Sequence, residues 1–255
     1  MIRFAMLGSG SKGNSAVIGA GRTRVLLDCG LPLAETEARL QRLGLAAEDL
    51  DAVVVTHEHA DHLSGVARLA QRYRLPVWLT PGTRRSWREA PDADLLRHFS
   101  PHQPFAIGDL AVEPFPVPHD AREPCQYVFG DGAFRVGVLS DAGSVTPHMR
   151  AVLSGCHALL VEFNHDEEML ARGPYPAALK RRVAGDRGHL SNAQAAALLA
   201  AIDCSRLRHL VLIHLSEINN TPELARRAAA AALNCTPDWI ACAHQERGLD
   251  WCEVK

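Results

Sequence analysis

The hydrophobic positions fall into short, strand-sized runs punctuated by glycine-rich turns. Ile2 to Leu7, Ser15 to Ile18 and Thr23 to Asp28 are separated by Gly8–Asn14 and by Gly19–Arg22, which are hairpin signals. Glu35 to Leu43 has helical spacing, and Asp51 to Val55 is a β-branched run that predicts a buried strand. Leu63, Val66, Leu69, Ala70 and Tyr73 then recur at helical spacing, so a strand runs through a loop into a helix. Val77 to Thr80 and Leu110 to Val117 predict further strands. The second half repeats this style, with strands over Ala133 to Leu139, Ala158 to Glu162 and Leu207 to Ile213. Helices are predicted over Asn192 to Ala201 and from Pro222 to about Leu233, the latter capped by Thr221. Trp239 to Ala243 and Asp250 to Val254 close the pattern, and Arg84 to Phe105 reads as a surface excursion. Two sheet-rich halves without a linker or repeat fit one domain over residues 1–255, with sheets face to face and helices outside.

Composition narrows the class. Hydrophobic residues make up 47% and charged residues 22% of the 255, which excludes a disordered, collagen-like or disulfide-scaffold chain. The net charge of −2 gives no bulk basic field, so any nucleic-acid contact must come from a local patch. No apolar run approaches the roughly 20 residues of a spanning helix, and no export signal opens the chain; no membrane association is expected. Seven scattered cysteines without a Cys-x-x-Cys pair fit reduced thiols and a cytoplasmic location. The unusual count is histidine, with 13 copies.

Three of those histidines fall within six residues, His57-Glu58-His59-Ala60-Asp61-His62, directly after the strand ending at Val55. Residues two apart at a strand end project to one side, so His57 and His59 can reach one ion while Asp61 and His62 face a second. Imidazole and carboxylate are ligands that borderline divalent metals accept. Further ligand-type residues each end an apolar strand: Asp28, His119, Asp141 and His214. Together they place ligand chemistry at one edge of a sandwich.

The set Asp28, His57-x-His59-x-Asp61-His62, His119, Asp141 and His214 resembles the metallo-β-lactamase-fold hydrolases over essentially the whole chain. The resemblance implies an α/β (α+β) fold, a four-layer αββα sandwich with a binuclear metal site. It implies that His57, His59 and His119 hold one ion, and Asp61, His62 and His214 the other. Asp141 bridges them with a water or hydroxide, and Asp28 orients the ligands from behind. Two divalent ions, zinc or manganese with iron possible, are the implied cofactors. Within the family, His59 stands where redox di-iron relatives commonly carry Glu. The complete Asp61–His62 pair differs from the true lactamases. An added helical domain and a large inserted cap, marks of other branches, are not expected.

Three further stretches sharpen the branch. The loop Gly8 to Ser15, the segment Glu162 to Asp166 with Gly173-Pro174-Tyr175-Pro176 and Leu179-Lys180-Arg181-Arg182 after it, and Gly188-His189-Leu190-Ser191-Asn192 together resemble the small YycJ/WalJ-type exonucleases of bacteria. Cyclic phosphodiesterases and tRNA 3′-processing endonucleases are more distant resemblances. The branch implies a phosphodiesterase, a 5′-to-3′ exonuclease on DNA, with Asp61, Asp141 and His189 catalytic. Ser9, Ser11, Asn14, Asn164, His165 and Lys180 are the candidate substrate contacts. Plainer readings stand beside these: the Gly/Ser loop as a hairpin turn, His189 as a helix cap, His165 as surface, and Lys180-Arg181-Arg182, Arg84-Arg85 and Arg226-Arg227 as solvated charge, of which Lys180 to Arg182 is the best placed to track a phosphate backbone. The alternatives are a small-molecule hydrolase of cyclic phosphodiesters, thioesters or lactones, an RNA-processing nuclease, and a non-catalytic binding module. The oligomeric state is open.

Overall fold

Period-two alternation in the first strand already separates two layers. In β1 (Ile2–Gly8), Ile2, Phe4 and Met6 face one core while Ala5 and Leu7 face another. The computed structural model describes residues 1–255 and repeats this logic through two seven-stranded sheets. The first sheet holds β1, β2 (Ser15–Ala20), β3 (Thr23–Leu27), β4 (Ala52–Val54), β5 (Val77–Leu79) and β6 (Leu96–His98) in sequence order. The second holds β7 (Phe105–Ile107), β8 (Leu110–Pro116), β9 (Cys125–Gly130), β10 (Arg135–Leu139), β11 (Ala158–Glu162), β12 (His209–Ile213) and β13 (Ala241–Cys242). The last strand, β14 (Leu249–Val254), returns to pair antiparallel with β1. Each half therefore begins with antiparallel hairpins and continues as a parallel run, β3 to β6 and β10 to β13.

The inner faces meet in a core that joins Phe4, Ile18 and Val54 of one sheet to Tyr127, Phe129 and Leu160 of the other. Helices α1 (Leu33–Arg42), α2 (Ala60–Leu63) and α3 (Val66–Tyr73) lie on the first sheet, where Leu40 and Leu69 bury against Leu26 and Val53. Outside the second sheet, α5 (Pro147–Leu153), α8 (Asn192–Ala201) and α9 (Pro222–Leu233) bury Val152, Leu198 and Ala229 against Leu159 and Leu210. The result is a four-layer αββα sandwich. Strands buried on both faces read as unbroken apolar runs, which is why Val53–Val54 and Leu159–Val161 show no alternation in sequence.

Several elements depart from the sequence expectation. The stretch after α4 (Pro81–Ser86) is not wholly irregular: Leu96–His98 forms the edge strand that pairs parallel with β5. Strand β9 escaped notice because Gln126, fully buried, interrupts its apolar run. The helices α5, α6 (Glu167–Arg172) and α7 (Ala177–Val183) span two turns or fewer, too short for a helical period to register. The expected helix after His62 is two, broken at Ser64–Gly65, where the Gly65 N–H reaches the Cys29 carbonyl at 2.7 Å. All seven cysteines are free thiols.

Candidate metal centre

Parallel strands deliver their carboxyl ends to one edge of a sheet, and this chain uses that edge repeatedly. Asp28 follows β3, His57 follows β4, Asp141 follows β10, Glu162 ends β11 and His214 follows β12. Strand β8 runs parallel to β10 through two antiparallel pairings, so His119, just past it, arrives at the same edge. Asp28, Asp141 and His214 adopt left-handed backbone, with φ of 56°, 50° and 54°. Such a conformation costs an L-residue roughly 1–2 kcal/mol.

The histidine motif opens α2, and two loops hold it in place. The Asn14 N–H donates to the Asp61 carbonyl at 2.7 Å, and the Cys29 N–H donates to the His62 carbonyl at 2.8 Å. Gly30 packs so tightly here that a Cβ would fall 1.8 Å from the Asp61 carbonyl oxygen.

Four of the five imidazoles are tethered on one side and aimed inward on the other. His62 Nδ1 lies 2.7 Å from Asp28 Oδ2, His119 Nδ1 donates to the Gly188 carbonyl at 3.0 Å, and His214 Nδ1 meets Glu162 Oε1 at 2.9 Å. His57 Nδ1 contacts the Thr56 hydroxyl at 3.0 Å. The inward nitrogens converge. His119 Nε2 and His59 Nδ1 are 3.2 Å apart, and Asp141 reaches His62 Nε2 at 3.0 Å and His119 Nε2 at 3.8 Å. Three groups have ligand atoms close enough to share one ion: His57, His59 and His119; Asp61, His62 and His214; and His57, His62 and Asp141. A fourth joins Asp141, Glu162, His189 and His214.

Whether a cation fits can be read from the unpaired atoms. His57 Nε2 is buried without a hydrogen-bond partner, and His214 Nε2 has nothing nearer than Asp61 Oδ2 at 3.5 Å. The His119 tether requires a proton on Nδ1, leaving a lone pair on Nε2 facing His59. Buried lone pairs aimed at one another are costly unless something positive sits between them. With outer partners that fix four of the five rings, the donor set suits a divalent metal.

The electrostatics agree. Burial opposes charge on His214, yet Asp141, Asp61 and Glu162 outweigh it and lift the imidazole to about 10. Burial likewise works against charged His62, and Asp141 and Asp28 again win, placing it well above the usual value. His57 has burial and the charge of His62 against it and falls well below. Glu162 is held down to about 2, because His189 and His214 overcome its burial. Without cations, protons on imidazoles balance the carboxylates.

A pocket of about 380 Å³ opens over this centre. His59, Asp61, Asp141, His189 and His214 line it, together with Ser11. His189 Nδ1 is anchored on Glu162 Oε1 at 2.7 Å, which leaves Nε2 for the pocket. Of the candidate substrate contacts, only Ser11 reaches this wall. Ser9 Oγ accepts the His214 N–H at 2.7 Å, and Asn14 Nδ2 lies 3.2 Å from Asp61 Oδ2. Asn164 Nδ2 donates to the His214 carbonyl at 3.0 Å, and His165 is buried behind it. These four stand beneath the site. Lys180 turns away and donates to the Ala171 carbonyl at 2.6 Å. Sequence reasoning missed Asp120, and it carried Glu162, Tyr175 and Arg182 only as members of longer stretches, without roles of their own. Glu162 carried the same strand-end signal as Asp28, hidden inside a polar run.

Stacked sheets with outer helices and a histidine–carboxylate centre at their carboxyl edge define a metal-dependent hydrolase of the αββα class. The chain belongs to the metallo-β-lactamase superfamily: residues 23–215 match the family described as the Beta-lactamase superfamily domain. Among curated relatives, an exodeoxyribonuclease YycJ of Bacillus anthracis is 36% identical over 240 residues, covering 91% of this chain and 89% of its own. An exodeoxyribonuclease WalJ of Streptococcus pneumoniae is 33% identical over 228 residues, covering 88% and 85%. Among solved structures, the metallo-β-lactamase-fold protein YhfI of Bacillus subtilis superposes with a TM-score of 0.75 over 99% of both chains at 17% identity, a likeness of fold.

Proposed function

We propose that the protein is a cytoplasmic 5′-to-3′ exonuclease acting on DNA with two divalent ions, zinc or manganese. The observation that carries this reading is the converging donor set, in which the buried His57 Nε2 has no partner and His214 Nε2 meets only the Asp61 carboxylate, at 3.5 Å. Relatives named as exodeoxyribonucleases over most of the chain's length support the substrate class. Seven free cysteines suit a reducing compartment, and no helix is long and apolar enough to cross a membrane.

In this reading His57, His59 and His119 hold one ion, and Asp61, His62 and His214 hold the other, with Asp141 between the two sets. The ions supply Lewis acidity toward phosphoryl oxygens and activate water near neutral pH. The chain's own residues do the rest. Asp61 faces the pocket and accepts the proton of the attacking water. His189, oriented by Glu162, presents Nε2 to the phosphate and gives a hydrogen bond there or a proton to the leaving oxygen. Asp28 and Glu162 fix the rings from behind.

The test is an oligodeoxynucleotide labelled at its 5′ end, incubated with Mn²⁺ and the protein beside an Asp61→Asn control. Early release of 5′-terminal nucleotides, absent in the control, is expected. Metal-loaded protein that leaves DNA intact but cleaves a small phosphodiester would overturn the reading in favour of a small-molecule hydrolase.

A further inference from the structure

The centre occupies one wall of the pocket; the other is built from a segment with no part in holding metal. Tyr175, Leu179, Arg182 and Val183 line that side, and they come from α7 and the bend before it. Helix α7 contributes no buried residue, so these side chains are not there to fill a core. Leu179 and Val183 are one turn apart and share a face. Beside them Tyr175 is the only phenol or phenyl ring on the wall, and it is half-buried.

Arg182 is tied to the same place. Its Nε donates to Asp120 Oδ2 at 2.6 Å, and Asp120 Oδ1 lies 3.5 Å from His119 Nε2 and 3.6 Å from His59 Nε2. The carboxylate thus holds a guanidinium at the lip of the centre. Only Nε is spent on this contact, so the Nη groups keep donors for an anion.

Resting on the exonuclease reading, we propose that this wall is the seat of the terminal nucleotide. The Tyr175 ring stacks on its base, flanked by Leu179 and Val183, and Arg182 donates to the phosphate adjoining the scissile one. Ring, apolar flank and cation match the base-and-phosphate repeat of a single strand. A cavity of about 380 Å³ has room for one nucleotide at a time. Asp120 is then a positioning residue, acting through Arg182.

The experiment uses the full metal-loaded chain and two oligodeoxynucleotides of one sequence, one with an intact 5′-terminal nucleotide and one with an abasic tetrahydrofuran residue there. The wild type is expected to prefer the intact end on the order of 10-fold in kcat/KM, as one stacked base gives. Tyr175→Ala brings the two substrates to equal kcat/KM, and Tyr175→Phe keeps the preference. Arg182→Gln raises KM and lowers the slope of log KM against log salt by about 0.7, the share of one phosphate contact on a single strand. Equal rates on the two ends in the wild type, or a preference that survives Tyr175→Ala, overturn the seat while leaving the exonuclease standing. Failure to cut either oligonucleotide, with methyl p-nitrophenyl phosphate still hydrolysed, overturns both.

Discussion

Asp28 Oδ2 sits 2.7 Å from His62 Nδ1, and both side chains are buried. Two further donors, the Thr56 N–H and hydroxyl, reach Asp28 at 2.8 Å each, so both carboxylate oxygens are engaged away from the pocket. The carboxylate therefore serves the ring rather than the pocket. Asp28→Asn keeps the shape and removes the charge that orients His62. Metal affinity is expected to fall 10- to 100-fold, as losses of such outer partners usually run. Metal content after dialysis against chelators of graded strength measures this. Activity should return at excess metal; retention of metal equal to wild type would show that Asp28 is only a packing residue.

Glu162 serves two rings at once, with Oε1 at 2.7 Å from His189 Nδ1 and 2.9 Å from His214 Nδ1. The two histidines should nevertheless respond differently. His189→Ala is expected to keep its full metal complement and lose rate by roughly 10²- to 10⁴-fold, as a missing general acid does. Glu162→Gln should lose both rate and metal, because it releases His214 as well. Elemental analysis beside kcat separates the cases. Because Asp141, Glu162, His189 and His214 also form a group able to hold a cation, metal lost from His189→Ala would make His189 a ligand instead.

How far the sequence spoke depended on whether a feature was local. His57 to His62 is a contiguous motif, and Asp28, His119, Asp141 and His214 each end an apolar run, so all could be picked out and are found at one edge. The αββα arrangement followed from the resemblance, and the strand pattern agreed with it. What could not be read was whatever depends on contacts between distant segments. Ser9 and Asn14 are polar residues in a glycine-rich loop and look like substrate contacts, yet they are engaged beneath the site by the His214 N–H and the Asp61 carboxylate. Glu162 was visible only as the end of a strand, since its two histidine partners come from segments 27 and 52 residues away. Arg182 matters through Asp120, 62 residues upstream, while its neighbour Lys180 faces elsewhere.

Gly30 is required by close approach, not by an unusual backbone angle. A Cβ there would lie 1.8 Å from the Asp61 carbonyl oxygen and 3.0 Å from the Asn14 nitrogen. Neither atom can move without dragging the opening turn of α2. Gly30→Ala should thus disturb Asp61 and His62 together. Overpacking of this kind costs about 1–3 kcal/mol, a fall in Tm of about 2–4 °C per kcal/mol in a chain of this size. A melt of the metal-free variant reads the fold, and metal titration reads the motif. A variant with unchanged melt and unchanged affinity would mean that the 28–30 loop yields freely.

The left-handed backbone at His214, φ 54°, can be weighed separately from its side chain. Alanine and glycine both delete the imidazole, so both abolish its contacts with Glu162 and Asp61 and should cost metal alike. They differ in the backbone they prefer. Alanine keeps the Cβ that makes this conformation unfavourable, whereas glycine accepts it. Glycine also gains freedom in the unfolded chain, which offsets part of the advantage. His214→Gly is accordingly expected to melt above His214→Ala, by about 1 kcal/mol or roughly 2–4 °C. Thermal melts of the two metal-free variants decide it. If alanine is the more stable, the residue relaxes out of the left-handed region once the ring is gone. The turn after β12 would then be held by the imidazole's contacts with Glu162 and Asp61 rather than by the fold.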